Sequence, residues 1–232
     1  MSLYLIILII SLAGPLALSF EKNLRLYKRW KYLLPAILIT MFVFVAWDII
    51  FTRMGCWFFN PMYNSGIYIN KLPLEEYLFF LVIPYACAFS FYAIQFHFPN
   101  FKLNKQWTKV LTFIIVVGSV ITSLLNPNLT YTFVNFLVLP IILLLSYYFA
   151  REHVQYYLAI YPILLIPFFI VNGILTGTGI EQAVINYNPR VILGIHIFSI
   201  PLEDMFYNFS LLLSPLVLSY IFEKRSKINQ SV

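Results

Sequence analysis

Apolar residues gather into seven continuous runs, near positions 2–20, 32–51, 74–96, 108–126, 129–149, 156–175 and 200–222. Each is close to the roughly 20 helical residues that cross a ~30 Å hydrocarbon layer. The runs are continuous rather than alternating, so helices are expected in them, not barrel strands. With 61% hydrophobic and only 10% charged residues, the chain belongs with integral membrane proteins rather than soluble domains. The expected fold class is all-α, with about seven transmembrane helices. The runs are too numerous for the first to be only a leader, and basic residues follow that run rather than precede it. Pro35, Pro84, Pro140, Pro162 and Pro167 fall inside runs, where neighbours in a bundle can satisfy the freed carbonyls.

The basic residues sort by side. Lys22, Arg25, Lys28, Arg29 and Lys31 follow run 1, Lys102, Lys105 and Lys109 follow run 3, Arg151 follows run 5, and Lys224, Arg225 and Lys227 follow run 7. Only Arg53, Lys71 and Arg190 lie in the other loops. The positive-inside rule then places the N-terminus outside and the C-terminus in the cytoplasm. The lipid bilayer is the partner this pattern implies, and a net charge of +6 needs no nucleic acid to explain it. Cys56 and Cys87 stand apart with no Cys/His cluster, so neither a disulfide framework nor a metal site is read.

One motif occurs twice. Pro73-Leu74-Glu75-Glu76 returns as Pro201-Leu202-Glu203-Asp204, 128 positions on. Asn60-Pro61 precedes the first copy as Asn188-Pro189 precedes the second, and Gly66-Ile67 and Gly194-Ile195 fall in the same register. That shift lays runs 1–3 over runs 5–7 and leaves run 4 as a connector. The domains expected are a first repeat over 1–107, a connecting helix over 108–128 and a second repeat over 129–232. A repeat of three helices alone would invert the second copy, and the fourth helix restores its direction. The halves are therefore expected to be parallel, related by an axis along the membrane normal. Both acidic motifs then face the outer side, where two half-sites could close on one cavity.

Acids beside an apolar run are costly near lipid, about 2.5–3.5 kcal/mol for one Asp at a helix centre. The plain reading is that they cap helices, a gain of about 0.3–1 kcal/mol each. One acid per helix would suffice for that, and pairs in both copies ask for more. Adjacent carboxyls at a half-dry site do not both ionise easily, so one is expected to keep its proton near neutrality, the state a general acid needs. Glu75, Glu76, Glu203 and Asp204 are accordingly candidate catalytic groups. Asp48 joins them from within run 2; it pairs with Arg53, is a satisfied polar group, or is functional, and its approximate counterpart is Asn172. Asn60, Pro61, Asn188 and Pro189 read first as turn residues, and their equal spacing to the acids also makes them candidate substrate contacts. Aromatic residues crowd near the acids. Many belong to interfacial belts by default, but Trp57, Tyr77, Phe80, Phe206 and Tyr207 are candidate walls of a site. Aromatic faces steady a cation by roughly 0.5–2 kcal/mol without offering a nucleophile to trap it. A protonated carboxyl among such walls suggests carbocation chemistry on a polyene.

The doubled stretch, Asn-Pro, Gly-Ile and Pro-Leu-Glu-Glu-Tyr-Leu-Phe-Phe, then Gly-Ile-His-Ile-Phe-Ser-Ile-Pro-Leu-Glu-Asp-Met-Phe-Tyr-Asn, resembles the lycopene cyclase domain family. This is the membrane-embedded, heterodimer-type class of bacteria and archaea, and both halves stand here in one chain. The resemblance implies redox-neutral cyclisation of the ψ-ends of lycopene, giving γ-carotene and then β-carotene, in a prokaryotic plasma membrane. It also implies an acid role for Glu75, Glu76 and Glu203, and for the shorter Asp204. The substrate would be lycopene or a related polyene. No GxGxxG follows a strand, so no dinucleotide cofactor is read. Three rivals fit less well. A UbiA-like prenyltransferase needs two Asp-rich sets for Mg²⁺ and diphosphate, whereas Asp48 stands alone. A retinal protein needs a lysine in its last helix, and run 7 has none before Lys224. A non-catalytic carotenoid-binding protein would not explain acids paired twice.

Overall fold

The computed structural model describes residues 2–230. Its helices are α1 (Leu3–Leu18), α2 (Trp30–Arg53), α3 (Leu74–His97), α4 (Lys105–Leu125), α5 (Thr130–Leu175) and α6 (Leu202–Gln230). Among the described residues, five helical stretches, those containing α2 to α6, are long and apolar enough to cross a membrane. The shorter α1 has 16 residues and is equally apolar. Large apolar side chains on the outside of the bundle, such as Ile10, Phe42 and Leu125, are more than two-thirds exposed. That surface suits lipid rather than water. The fold is all-α and of membrane type.

Seven runs are read from the sequence, whereas the described residues hold six α-helices. Runs 5 and 6 form one 46-residue element, α5, broken only at Ala150, whose backbone (φ −144°, ψ 46°) leaves the helical region. The residues from Arg151 to Gln155 contain no proline or glycine, so helical geometry resumes at once after the break. The segment before α4 ties down this corner, with Leu103 N–H donating to the Gln155 carbonyl at 3.2 Å and Tyr156 Oη donating to the Pro99 carbonyl. Helix α4 packs on α5 through Thr108, Thr112, Ser119 and Ser123, all buried. Small residues of this kind let helix backbones approach closely in lipid.

Short strands outside the helices tie distant parts of the chain together. Strand β1 (Trp57–Phe59) pairs antiparallel with β4 (Ile185–Tyr187), placing Trp57 opposite Tyr187, Phe58 opposite Asn186 and Phe59 opposite Ile185. Residues 128 apart exchange places across this ladder, and Phe58 faces its own counterpart. The exchange continues beyond the strands. Asn60 N–H donates to the Val184 carbonyl and Asn188 N–H to the Cys56 carbonyl, each at 2.8 Å. Both asparagines close a turn, Oδ1 accepting from the N–H of Met62 or of Arg190 at 3.0 Å. The intervening proline has no N–H to leave unpaired.

Each acidic motif is delivered by a hairpin. Strands β2 (Tyr68–Ile69) and β3 (Leu72–Pro73) join through Asn70 and Lys71, at φ 51° and 72°, the left-handed pair of a type I′ turn. Strands β5 (His196–Ile197) and β6 (Ile200–Pro201) join through Phe198, at φ 57°. Leu74 N–H then donates to the Ile67 carbonyl and Leu202 N–H to the Ile195 carbonyl, both at 2.9 Å, so the two helices start alike. Before each hairpin, Gly66 (φ 78°) and Gly194 (φ 75°) take left-handed backbone. A Cβ at either site meets nothing within 4 Å, so substitution costs backbone strain alone. Gly66→Ala and Gly194→Ala are expected to lose about 1–2 kcal/mol each. A fall in the thermal unfolding midpoint in detergent would register this, whereas Gly118→Ala, mid-helix and unhindered, is expected to leave the midpoint level or raise it.

Candidate functional site

The two acids of each motif lie in the first turn of α3 or α6 and point different ways. Glu75 turns back toward the loop. Its Oε1 accepts from Ser65 N–H at 2.6 Å and Ser2 Oγ at 2.7 Å, and its Oε2 accepts from Ser65 Oγ at 3.1 Å. Glu203 does the same in the second half, its Oε1 accepting from Thr132 Oγ1 at 2.5 Å and Leu193 N–H at 2.7 Å. Ser65 and Leu193 are 128 apart, so one backbone N–H holds each acid in the same way. Each of these first acids pins the approach of a hairpin to the helix it opens and to the start of α1 or α5.

The second acids face inward. Glu76 and Asp204, together with Asp48, line one cavity of about 50 Å³. All three are at most 5% exposed, and no lysine or arginine is among the lining residues. Their hydrogen bonding differs sharply. Asp204 accepts three bonds: from Tyr131 Oη at 2.8 Å on Oδ1, and on Oδ2 from Asn172 Nδ2 at 2.9 Å and Tyr187 Oη at 2.8 Å. Tyr187 lies in β4, outside the spanning helices. Burial first, and the Asp204 carboxyl beside it second, push its phenol well above the usual range, so it stays a neutral donor. Glu76 receives one bond, from Tyr4 Oη at 2.7 Å. Asp48 Oδ1 receives Trp57 Nε1 at 2.6 Å and, weakly, Thr52 Oγ1 at 3.5 Å, while Asp48 Oδ2 meets no N–H or O–H donor. Asp48 and Glu76 line the same buried cavity with no cation among the lining residues. Neighbouring buried carboxyls of this kind do not both ionise easily. The cavity therefore sets a carboxyl–carboxyl pair against a carboxyl ringed by three donors.

Aromatic rings close the walls. Trp57 meets Tyr131 edge to face at 5.1 Å, Tyr131 stacks on Tyr187 at 6.0 Å, and Tyr207 stands against Trp47 at 5.3 Å. Of the aromatic residues proposed from sequence, Trp57, Phe80 and Tyr207 line the cavity. Tyr77 instead donates to the Ile69 carbonyl at 3.0 Å, and Phe206 packs on Phe136 at 4.8 Å. Asn60, Pro61, Asn188 and Pro189 sit in the cross-tied turns, not among the lining residues. Glu75 and Glu203 are likewise outside the lining. Arg53 does not pair with Asp48; it donates to Asn70 Oδ1 at 3.3 Å.

The lining also includes Tyr131 and Phe168, which sequence reasoning did not single out, and Tyr4 reaches Glu76 from α1. Tyr4 and Tyr131 do equivalent work on the two second acids, yet they are 127 positions apart. One residue out of register hides the pair from a fixed-offset comparison.

Buried carboxyls facing an aromatic cavity inside a bundle of apolar helices define a membrane-type helical protein with an acidic, aromatic-walled interior site. The chain belongs to the lycopene cyclase family: the family model described as lycopene cyclase matches residues 1–94 and 128–222. The unmatched stretch between them holds α4. No curated protein and no solved structure matches the chain.

Removing the hydroxyl that holds Glu203 gives a direct test of its structural part. Thr132→Val keeps the side-chain shape and deletes the donor, so a loss of about 1–3 kcal/mol is expected for a buried acceptor left with one partner fewer. Denaturation in mixed micelles would measure it; an unchanged midpoint would mean that Glu203 does not need this tie.

Proposed function

We propose that this protein cyclises the ψ-ends of lycopene to β-rings in a redox-neutral reaction, giving γ-carotene and then β-carotene in a prokaryotic plasma membrane. Family membership supports a carotenoid cyclase in general. The observation that carries the specific reading is the unlike pair of carboxyl environments across one cavity. We further propose an arrangement of two parallel three-helix repeats, 1–107 and 129–232, joined by a connecting helix at 108–128. Seven crossings result, with the break at Ala150 dividing two of them, and the N-terminus lies outside. The exchange of residues across β1 and β4 supports a two-fold relation of this kind.

The proton held by the Asp48–Glu76 pair is the proton source. Transfer from Glu76 to the terminal carbon–carbon double bond of a ψ-end leaves a tertiary cation. The π electrons of a nearby double bond close the six-membered ring, forming one carbon–carbon bond and moving the positive charge into the ring. Loss of a ring proton returns its electron pair as the ring double bond. Asp204, presented by three donors as a carboxylate, takes that proton. Exchange with solvent takes the proton from Asp204 and returns one to the Asp48–Glu76 pair, which resets the site. One proton enters and one leaves, and no electron acceptor is required. The faces of Trp57, Tyr131 and Tyr207 steady the cation between these steps, by roughly 0.5–2 kcal/mol each.

Lycopene-accumulating cells expressing the wild type are expected to form cyclic carotenes, and in D₂O each ring should gain one deuterium. Glu76→Gln and Asp204→Asn are expected to lower the rate about 10²–10⁴-fold, the usual share of a positioned acid or base. Linear lycopene left unchanged by inserted wild-type protein would sink the lycopene cyclase assignment. Full activity in Glu76→Gln would remove the proposed acid.

A further inference from the structure

The central cavity continues into a second volume of about 140 Å³ between α1, α3, α5 and α6. Phe79, Phe168, Asn172 and Asn208 line both. Ser11 and Pro15 of α1 form one wall of this groove, and Ile83, Ala86, Cys87 and Ser90 of α3 form another. Small side chains make the room. The two serines present no polar demand, because Ser11 Oγ donates to the Ile7 carbonyl at 2.8 Å and Ser90 Oγ to the Ala86 carbonyl at 3.1 Å. Hydroxyls turned back onto their own helix in this way leave an apolar surface.

The corresponding place carries larger side chains. In the register that pairs Tyr4 with Tyr131, Ser11 and Pro15 answer to Val138 and Ile142, and Ser90 answers to Leu218 of α6; all three are half-buried. Asp48 stands to Glu76 as Asn172 stands to Asp204, and by that relation Phe44 and Trp47 occupy the places of Phe168 and Val171. Phe44 and Trp47 stack on each other at 5.9 Å and both meet the ring of Tyr207. Among the described residues, the flank beside α1 and α3 is thus the roomier of the two.

We propose that this groove is a binding site for the linear conjugated chain of a polyene, holding the substrate while one of its ends sits in the central cavity. The inference rests on the cyclase reading for the identity of the reacting end, but the groove itself is argued from shape and apolarity. Phe79, Phe168, Asn172 and Asn208 stand where the two volumes meet, so an arriving chain end passes between these side chains. With a single groove, the molecule is served one end per visit. A substrate with two reactive ends leaves and returns reversed, and the half-reacted species is a free intermediate.

The test narrows the groove to match the narrower flank. The full-length protein carrying Ser11→Leu with Ser90→Leu, and separately the milder Ala86→Val, would be compared with wild type and with the lipid-facing control Ile10→Leu. Two quantities are read: lycopene bound by purified protein in detergent, by its visible absorption, and ring formation in cells. Binding and ring formation are both expected to fall about tenfold or more in the double variant and less in Ala86→Val, with the control unchanged. Unaltered lycopene binding in both narrowed variants overturns the groove, whatever the wild type does to the bound molecule, and so does a wild type that binds no lycopene. A wild type that binds lycopene through the groove yet forms no ring keeps the groove and removes the cyclase assignment instead. Should the double variant fail to insert, Ala86→Val decides by the same readings.

Discussion

A carboxyl enclosed by helices whose outer surface suits lipid has no water to turn to, so its hydrogen-bond donors must come from the protein. Most of the architecture outside the helices answers that requirement. The hairpins bring the Ser65 and Leu193 N–H groups back over the helix starts, where Glu75 and Glu203 accept them. Helices α1 and α5 begin where Ser2 and Tyr4, or Tyr131 and Thr132, can reach the same first turns. An unpaired buried polar group costs about 1–3 kcal/mol, so five or six such ties decide where the strands and helix ends lie.

Within that frame, adjacent acids acquire different chemistry. Successive helical residues point roughly 100° apart, enough to send one carboxyl into the loop and the next into the bundle. Supply of donors does the rest. Three donors converge on Asp204, whereas Glu76 receives Tyr4 alone and Asp48 has one oxygen without a donor. The unlike partners are Asn172 and Asp48, equivalent places filled by an amide on one side and an acid on the other. Two copies of one sequence motif thus frame a site whose two sides are not alike.

Much of this could be read from the chain itself. The helical runs, the paired motifs and the family resemblance all stand on residues in plain order, because apolar length and a repeated spacing survive without coordinates. The inward acids could not be told from the outward ones, since Glu75 and Glu76 look equivalent until something packs against each. Asn60 and Asn188 were visible through their spacing, but the spacing alone does not say whether an Asn-Pro pair meets a ligand or closes a turn. Tyr4 and Tyr131 escaped because α1 and α5 begin one residue out of register. The short strands were invisible for a further reason: two or three residues carry no periodicity, and their partners lie far away in sequence.

The ladder between β1 and β4 also bears on how the chain is made. Asn60 N–H waits for the Val184 carbonyl, and Trp57 for Tyr187. At about 5–20 residues per second of synthesis, that interval is of the order of 6–25 s. During it the first Asn-Pro turn emerges with its cross-partner unmade, and Glu76 stands without the far wall of its cavity. The early half is a template held open in time, completed only when β4 has been made.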